Sequence, residues 1–359
     1  MIKYFFILII FANNLFAQNE KRYFYFGRDY GSEAMFNPLA VIINGGFDIL
    51  QASTHTRELK SMAIATGAKN VWENISDPFP RIKKFGWNNF LSQEVLPLQF
   101  DVKKAQWFPN YSLHFLFGGM NFRTNYEWFI DKNYSHPWAW ASLTYGTYHF
   151  LNEAVENDRY KGVNVDPIAD LLIFNIGGAA LFLNDDVADF FSSTVQISDW
   201  SSMAAINPNF MTLENHGQNF LLRYQPSFWD SISIFTYWGD HGLVGLSIPK
   251  NFEEKISFGG GVVTRQVRDK VDKKTGVRSL YVDFGWIAGV FYDRNNSLMA
   301  SLVLSNRINE KLKLNIYPGV ITFKDWSPGI FFNVGNRNQI IFGLNITSSP
   351  IGLAYRNHL

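Results

Sequence analysis

Cysteine is absent from the 359 residues. Disulfides, thiolate metal ligands and a lipid-carrying N-terminal cysteine are all excluded by that one absence. Net charge is nearly absent as well: 32 basic against 31 acidic residues leave +1, which gives no bulk electrostatic reason to expect nucleic acid as a partner. Past the N-terminus, no stretch reaches the roughly 18 consecutive apolar residues of a spanning helix. If the chain crosses a membrane, it must do so as a closed β-barrel. The sequence also has no Gly-x-Ser-x-Gly nucleophile elbow, no Walker loop and no His-Glu-x-x-His pair.

What is present begins with an export signal. Lys3 supplies a short positive region, Tyr4 to Phe11 is an unbroken apolar run, and Leu15-Phe16-Ala17 offers a cleavage site. The run is too short to span a bilayer, so residues 1–17 are expected to be removed as a signal peptide rather than kept as an anchor. The aromatic content of 17% fits a chain that meets a membrane interface.

The chain changes character near residue 195. Before it, apolar residues come in blocks. Asn37-Pro38 and Asp166-Pro167 each place a capping acceptor before a proline at the first helical position. Helices are expected at Leu39–Ala52, Lys84–Gln93, Tyr111–Lys132, Pro137–Asn157 and Ile168–Leu183. Three of these segments contain a glycine pair: Gly45-Gly46, Gly118-Gly119 and Gly177-Gly178. Glycine inside a helix costs about 1 kcal/mol against alanine, so the pairs are expected where two backbones approach closely. The two Pro-led segments, each ending in Gly-Gly, also allow a repeat.

After residue 195 apolar residues alternate with period 2, the mark of strands. Ten runs, starting at 218 and separated by turn clusters such as Asp293–Asn296 and Gly335–Asn338, predict an up-and-down meander. In one run Leu280, Val282, Phe284, Trp286 and Ala288 are expected on a lipid side, and Tyr281, Asp283 and Gly285 on a lumen side. A soluble sandwich also alternates. The export signal and the Leu-, Phe- and Trp-rich apolar face favour a membrane barrel. Gly259-Gly260-Gly261 is expected to mark a bulge or bend. The fold class expected is therefore α+β: a helical region over 18–195, then an antiparallel up-and-down β-barrel of about 8–10 strands over 196–359.

One polar stripe carries candidate chemistry. Tyr145, His149, Asn152, Glu153 and Glu156 recur at spacings of three and four and share one helix face. Asp166 and Asp170 follow at the next helix start. A histidine among carboxylates suits a divalent metal or general acid–base work, and the residues picked for catalysis are His149, Glu153 and Asp170. The ordinary alternative is that the stripe faces water or the barrel mouth while Trp138, Leu143 and Phe150 face the core. His114 sits in another apolar segment, with Asn121, Arg123 and Glu127 beyond it. No cofactor is expected.

His136-Pro137, Asn152-Glu153 with Glu156, Asp166-Pro167-Ile168-Ala169-Asp170 and Asn175-Ile176-Gly177-Gly178 together resemble the core block of a family of uncharacterised bacterial envelope proteins. The likeness covers residues 136–183. Asn152 stands where that family usually has Trp. The resemblance implies a place in a Gram-negative cell envelope and no assigned activity. Two functions follow as expectations. One is a structural or transport barrel of the outer membrane (or a periplasmic protein), capped or plugged by its helical half. The other is a membrane-embedded enzyme acting on lipid or lipopolysaccharide. The partners expected are outer-membrane lipid and either lipopolysaccharide or a small solute.

Overall fold

The computed structural model describes residues 21–52, 56–97, 108–158, 160–271, 278–347 and 349–358. The expected signal peptide lies outside them. The fold is α+β: helices up to residue 194, then one large mixed sheet.

The principal helices are α1 (Pro38–Gly46), α2 (Ile64–Ser76), α3 (Pro78–Phe85), α4 (Gly118–Asp131), α5 (Pro137–Glu156), α6 (Asn175–Phe182) and α7 (Asp185–Asp189). Asn37 caps α1 as its sequence suggests, its Oδ1 accepting the Ala40 N–H at 2.9 Å. Asp166 is instead the first residue of its short helix. The glycine pairs sit at close crossings. A Cβ on Gly45 would lie 2.5 Å from the Tyr148 ring, and one on Gly46 2.5 Å from Leu151, so α1 lies directly on α5. Among the described residues, Leu91–Val95, Phe108–Phe117, Asp170–Phe174 and Phe190–Thr194 are π-helical. The expected helices over Lys84–Gln93, Tyr111–Lys132 and Ile168–Leu183 each contain such a turn. Side-chain periodicity does not distinguish an α turn from the wider π turn over so few residues, and π turns are rare.

The strands are β1 (Ser198–Asp199), β2 (Ala205–Asn207), β3 (Thr212–Glu214), β4 (Phe220–Tyr224), β5 (Ser233–Trp238), β6 (His241–Pro249), β7 (Glu254–Val271), β8 (Arg278–Arg294), β9 (Ser297–Ser305), β10 (Leu312–Ile316), β11 (Gly329–Val334), β12 (Ile340–Asn345) and β13 (Gly352–Arg356). They form one 13-stranded sheet in the order β1-β4-β5-β6-β7-β8-β9-β10-β11-β12-β13-β2-β3. β4 to β13 are the expected meander. The three short strands before it carry too few residues to show alternation.

The ladder does not close, which corrects the expectation of a closed barrel of 8–10 strands. Its edges are β1 and β3. The reason lies in the segment that starts the sheet: β1 pairs with β4, while β2 pairs in parallel with β13. The chain between them makes single bonds, from Trp200 N to Asn219 O (2.8 Å) and from Ser202 N to Gly217 O (3.0 Å) on one side. On the other side Gly352 N donates to Ala204 O at 2.9 Å.

The two faces of the sheet are sharply different. One outward residue from each of β4 to β13 pairs with the next across the sheet: Tyr224, Ile234, Leu246, Phe258 and Val290, then Leu302, Leu314, Phe332, Phe342 and Tyr355. All are apolar or aromatic, and most are exposed. The other face is buried and much of it is polar, with Arg223, Ser247, Ser257, Asp293, Asn333 and Asn345 among its residues. Aromatic packing fills part of that interior, where Trp200, Phe235 and Phe291 meet. Glycines make the space: Gly245, Gly259 and Gly289 are direct cross-strand partners, and a Cβ on Gly289 would lie 2.8 Å from Phe291. The glycine run in β7 therefore serves packing, and the register shift expected there lies at Thr264/Gln266.

β7 and β8 run on past their outer neighbours. Residues 264–271 pair only with 278–284, as a two-stranded ribbon. This corrects one assignment: Asp283, expected in a lumen, is half-exposed on the ribbon, with Arg265 at 3.7 Å. Trp286 is exposed, as expected for the outward side. The helical half meets the sheet where its ladder is interrupted. Asn44 donates to Ser202 O and accepts from Gly217 N, both at 3.0 Å. Phe117 stacks on Phe220 with ring centroids 4.4 Å apart.

Candidate functional site

Helix α5 turns the ordinary pattern inside out. Tyr145, His149 and Glu153 of the stripe are buried, whereas Leu143, expected in the core, is 59% exposed. The reading in which the stripe faces water is therefore wrong. Asn152 leaves the group, its Nδ2 donating to Gly45 O at 2.9 Å across the α1 contact.

The buried stripe converges with residues from other elements. His149, Glu153 and Asp170 are 4%, 1% and 3% exposed. His114 joins them from the π turn Phe108–Phe117, its Nε2 standing 3.4 Å from Asp170 Oδ2. His114 and His149 face each other with ring centroids 4.9 Å apart. Glu94, also buried, is carried by a third π segment. Elements bearing His114, Asp170 and Glu94 are thus all π-helical, and π turns recur at functional sites because they re-aim a side chain within a helix.

Hydrogen bonds hold the arrangement. Asn175 Oδ1 lies 3.1 Å from His114 Nδ1. Since a carbonyl oxygen only accepts, Nδ1 carries the proton, and Nε2 is left as an acceptor near Asp170. Tyr145 Oη donates to Asn175 O at 3.2 Å, tying α5 to the start of α6. On the far side Asn157 Nδ2 donates to Glu153 O at 2.7 Å, Asn164 Nδ2 donates to Asn157 Oδ1 at 2.8 Å, and Asn74 Oδ1 accepts the Asn164 N–H at 3.0 Å.

The electrostatics follow from burial. Desolvation pushes the His114 imidazole down to about 4 and, aided by His114, holds His149 well below its ordinary range. Burial, then the negative charges of Asp166, Glu153, Glu94 and Glu156, hold the Asp170 carboxyl well above its ordinary range. Both imidazoles are thus neutral and the carboxylates crowd one another. Asp170 Oδ1 and His149 Nε2 have no hydrogen-bond partner among the described residues. His114, Glu153 and Asp170 offer ligand atoms within 4.8 Å of one another, a separation compatible with a metal ion.

All three residues picked for catalysis, His149, Glu153 and Asp170, are in this cluster. Asn157, Asn164, Asn175 and Glu94 carry no pattern that would have added them to the picked residues. Asn175 was visible only as part of a motif, and Glu94 carried no periodic signal. The other buried polar residues of α4 do different work: Glu127 accepts the backbone N–H groups of Tyr23, Phe24 and Tyr25 and is paired with Arg123 at 3.0 Å.

Two cavities among the described residues are lined by residues outside the cluster. The larger, about 400 Å³, lies between residues 21–36 and the β8–β9 turn. The smaller, about 20 Å³, lies inside the sheet beside His241, Arg307 and Glu310, with room for about one water. A charged network fills the space around it. Arg57 bonds Glu310 at 3.0 Å and stands 3.7 Å from Glu214, Arg356 pairs with Glu214 at 3.1 Å, and Arg307 pairs with Asp240.

Comparison of the chain with protein families, with curated proteins and with solved structures finds no match.

Proposed function

We propose that the chain is an outer-membrane protein whose sheet, although its strand ladder is open, is brought round into a barrel by the single bonds of residues 200–204, with a plugged lumen, so that it anchors its helical half rather than conducting solutes. The carrying observation is the outward row from Tyr224 to Tyr355, apolar on every strand and largely uncovered. Water is a poor neighbour for so continuous an apolar surface, because soluble monomers rarely expose patches beyond a few hundred Å². Hydrocarbon is a good one, and an apolar outside with a polar inside is the membrane-barrel pattern. The single bonds made by Trp200, Ser202 and Ala204 support closure, since an open edge has no partner in lipid.

Strand lengths fit in part. A crossing needs roughly 9–11 residues; β6 and β9 have nine each, and β7 and β8, with 18 and 17, run well past that length. β4, β10 and β13 have five each, so the apolar band is narrow there. No single helix among the described residues is long and apolar enough to cross on its own. The signal sequence over 1–17 and the likeness of residues 136–183 to envelope proteins lend the same location weight. The lumen argues for anchoring: Arg57, Glu214, Arg307 and Glu310 fill it with paired charges.

A second reading is a membrane-embedded enzyme acting on lipid or lipopolysaccharide acyl chains through His149, Glu153 and Asp170. Their convergence with His114 favours it. Their burial away from both cavities opposes it. Fractionation and gel mobility test the first reading. The full chain is expected in the outer-membrane fraction, to migrate faster unheated than boiled, and to give no stepwise conductance in a planar bilayer. Recovery as a soluble periplasmic protein would overturn membrane insertion, and steady channels would overturn the plugged lumen.

A further inference from the structure

We infer that His114, Glu153 and Asp170 bind a divalent transition-metal ion of the zinc, manganese(II) or iron(II) class. Two acceptors stand close together inside the cluster. Asn175 fixes the His114 proton on Nδ1, which leaves Nε2 as an acceptor 3.4 Å from Asp170 Oδ2. Two lone pairs do not hold that position unless a proton or a cation lies between them. Two ligands about 2.1 Å from one tetrahedral ion are themselves roughly 3.4 Å apart. The observed separation is that of two ligands sharing an ion.

Glu153 completes the set, with its ligand atom within 4.8 Å of both others. The hydrogen bonds that would support such ligands are already in place. Asn175 orients the His114 ring, and the Asn157–Asn164–Asn74 chain orients Glu153. Metal-bound histidines characteristically donate their other N–H to such an acceptor.

Charge and unsatisfied atoms point the same way. With a metal bound, two ionised carboxylates and a neutral imidazole would carry −2, which a divalent ion cancels where burial makes net charge costly. Asp170 Oδ1 and His149 Nε2, each on a side chain more than nine-tenths buried, have no hydrogen-bond partner among the described residues. One nitrogen and two oxygens suit zinc, manganese or iron better than calcium or magnesium, which prefer all-oxygen shells. Three protein ligands leave a coordination position for water.

Tag-free full-length protein in detergent tests the inference. Elemental analysis after gel filtration is expected to find about one such ion per chain. Chelator treatment should lower Tm, and zinc or manganese(II) chloride should restore it by about 5 °C or more. Asp170→Asn and His114→Gln should lose both the ion and the Tm response, while His136→Gln, at an exposed position, should keep both. Circular dichroism confirms that each variant is folded; should His114→Gln not fold, Asp170→Asn decides alone. Metal below about a tenth of an ion per chain, with no Tm response to either salt, overturns the site and assigns a shared proton to the His114–Asp170 contact. Metal bound equally by wild type and by folded Asp170→Asn overturns it as well. Neither result bears on whether the sheet sits in a membrane.

Discussion

Gly119 and Gly178 face each other so closely that a Cβ on Gly119 would lie 2.4 Å from the Gly178 carbonyl oxygen. This contact sets how near α4 and α6 come, and hence where the chain after Asp170 lies against the π turn that carries His114. Gly178 itself leaves no room, since a Cβ there would lie 2.2 Å from Phe115 O. Backbone atoms cannot rotate aside as side chains do. Gly119→Leu or Gly178→Leu should therefore destabilise by at least about 1–3 kcal/mol. At Gly146 a Cβ would meet nothing within 4 Å, and Gly146→Ala should stabilise by up to about 1 kcal/mol. Denaturation midpoints of the three variants compare directly, and equal effects at 146 and 178 would remove the packing role.

The buried charge network beside the sheet should be expensive to break from one side. Arg57 stands between Glu310 and Glu214, all three nearly fully buried. Burial works to raise the Glu310 carboxyl, but Lys313, Arg57 and Arg307 outweigh it and hold it below its ordinary range. Arg57→Ala removes one of those cations and leaves Glu310 short of compensation, at roughly 3–5 kcal/mol for a buried pair. Lys69→Ala, which breaks the exposed Lys69–Glu73 pair, should cost no more than about 0.5 kcal/mol. Urea titration of both variants reads the difference.

Asp48 gives a pH dependence with a definite sign. It sits in the 3₁₀ turn Asp48–Gln51, where burial and then the charge of Asp240 push its carboxyl up to about 7. The Gln218 N–H and the Gln51 amide, donating at 2.7 and 2.9 Å, act in the opposite direction. A folded value above the unfolded one means that the native state holds the proton more tightly. The contribution of Asp48 is therefore complete below about pH 4 and is lost as pH rises through about 7. Asp48→Asn keeps an acceptor for both donors and removes the titration. Melting curves should show wild type losing stability relative to Asp48→Asn between about pH 4 and 7 and running parallel to it above that. Curves parallel throughout would show that Asp48 ionises normally.

Much of the sheet was legible because its signal is local. Ile330, Phe332 and Val334 alternate with Phe331 and Asn333, and the same parity survives in the structure. β1 to β3 were not legible, since two or three residues have no period. Nor was the interrupted ladder, which depends on where Ser202 and Ala204 lie rather than on what they are. The spacing of Tyr145, His149 and Glu153 identified one face of α5 correctly. Its direction was hidden, because the usual rule sends polar residues outward and Leu143 inward. The partners that make the cluster a site, His114 and Glu94, stand on π turns far away in sequence and carry no periodic mark.

The outward row should tolerate no charge. Val290 is half-exposed, next to Phe258 and Leu302. In water Val290→Arg would be nearly free, as surface changes usually lie within about 0.5 kcal/mol. In a bilayer it should cost about 2–4 kcal/mol at the midplane. Refolding into lipid vesicles, compared with stability in detergent, separates the two.

The most direct measurement labels single cysteines introduced into this naturally cysteine-free chain. Val290, Leu302 and Phe342 are 50%, 41% and 47% exposed, so in water a cysteine at any of them would react readily. Asp325, exposed in the β10–β11 connection, is the reference. In outer-membrane fragments open on both sides, the membrane account predicts that a water-soluble maleimide labels position 325 and spares 290, 302 and 342. A lipid-soluble maleimide should label those three. If all four positions react equally fast with the water-soluble reagent, the sheet is not in a membrane and the account is contradicted.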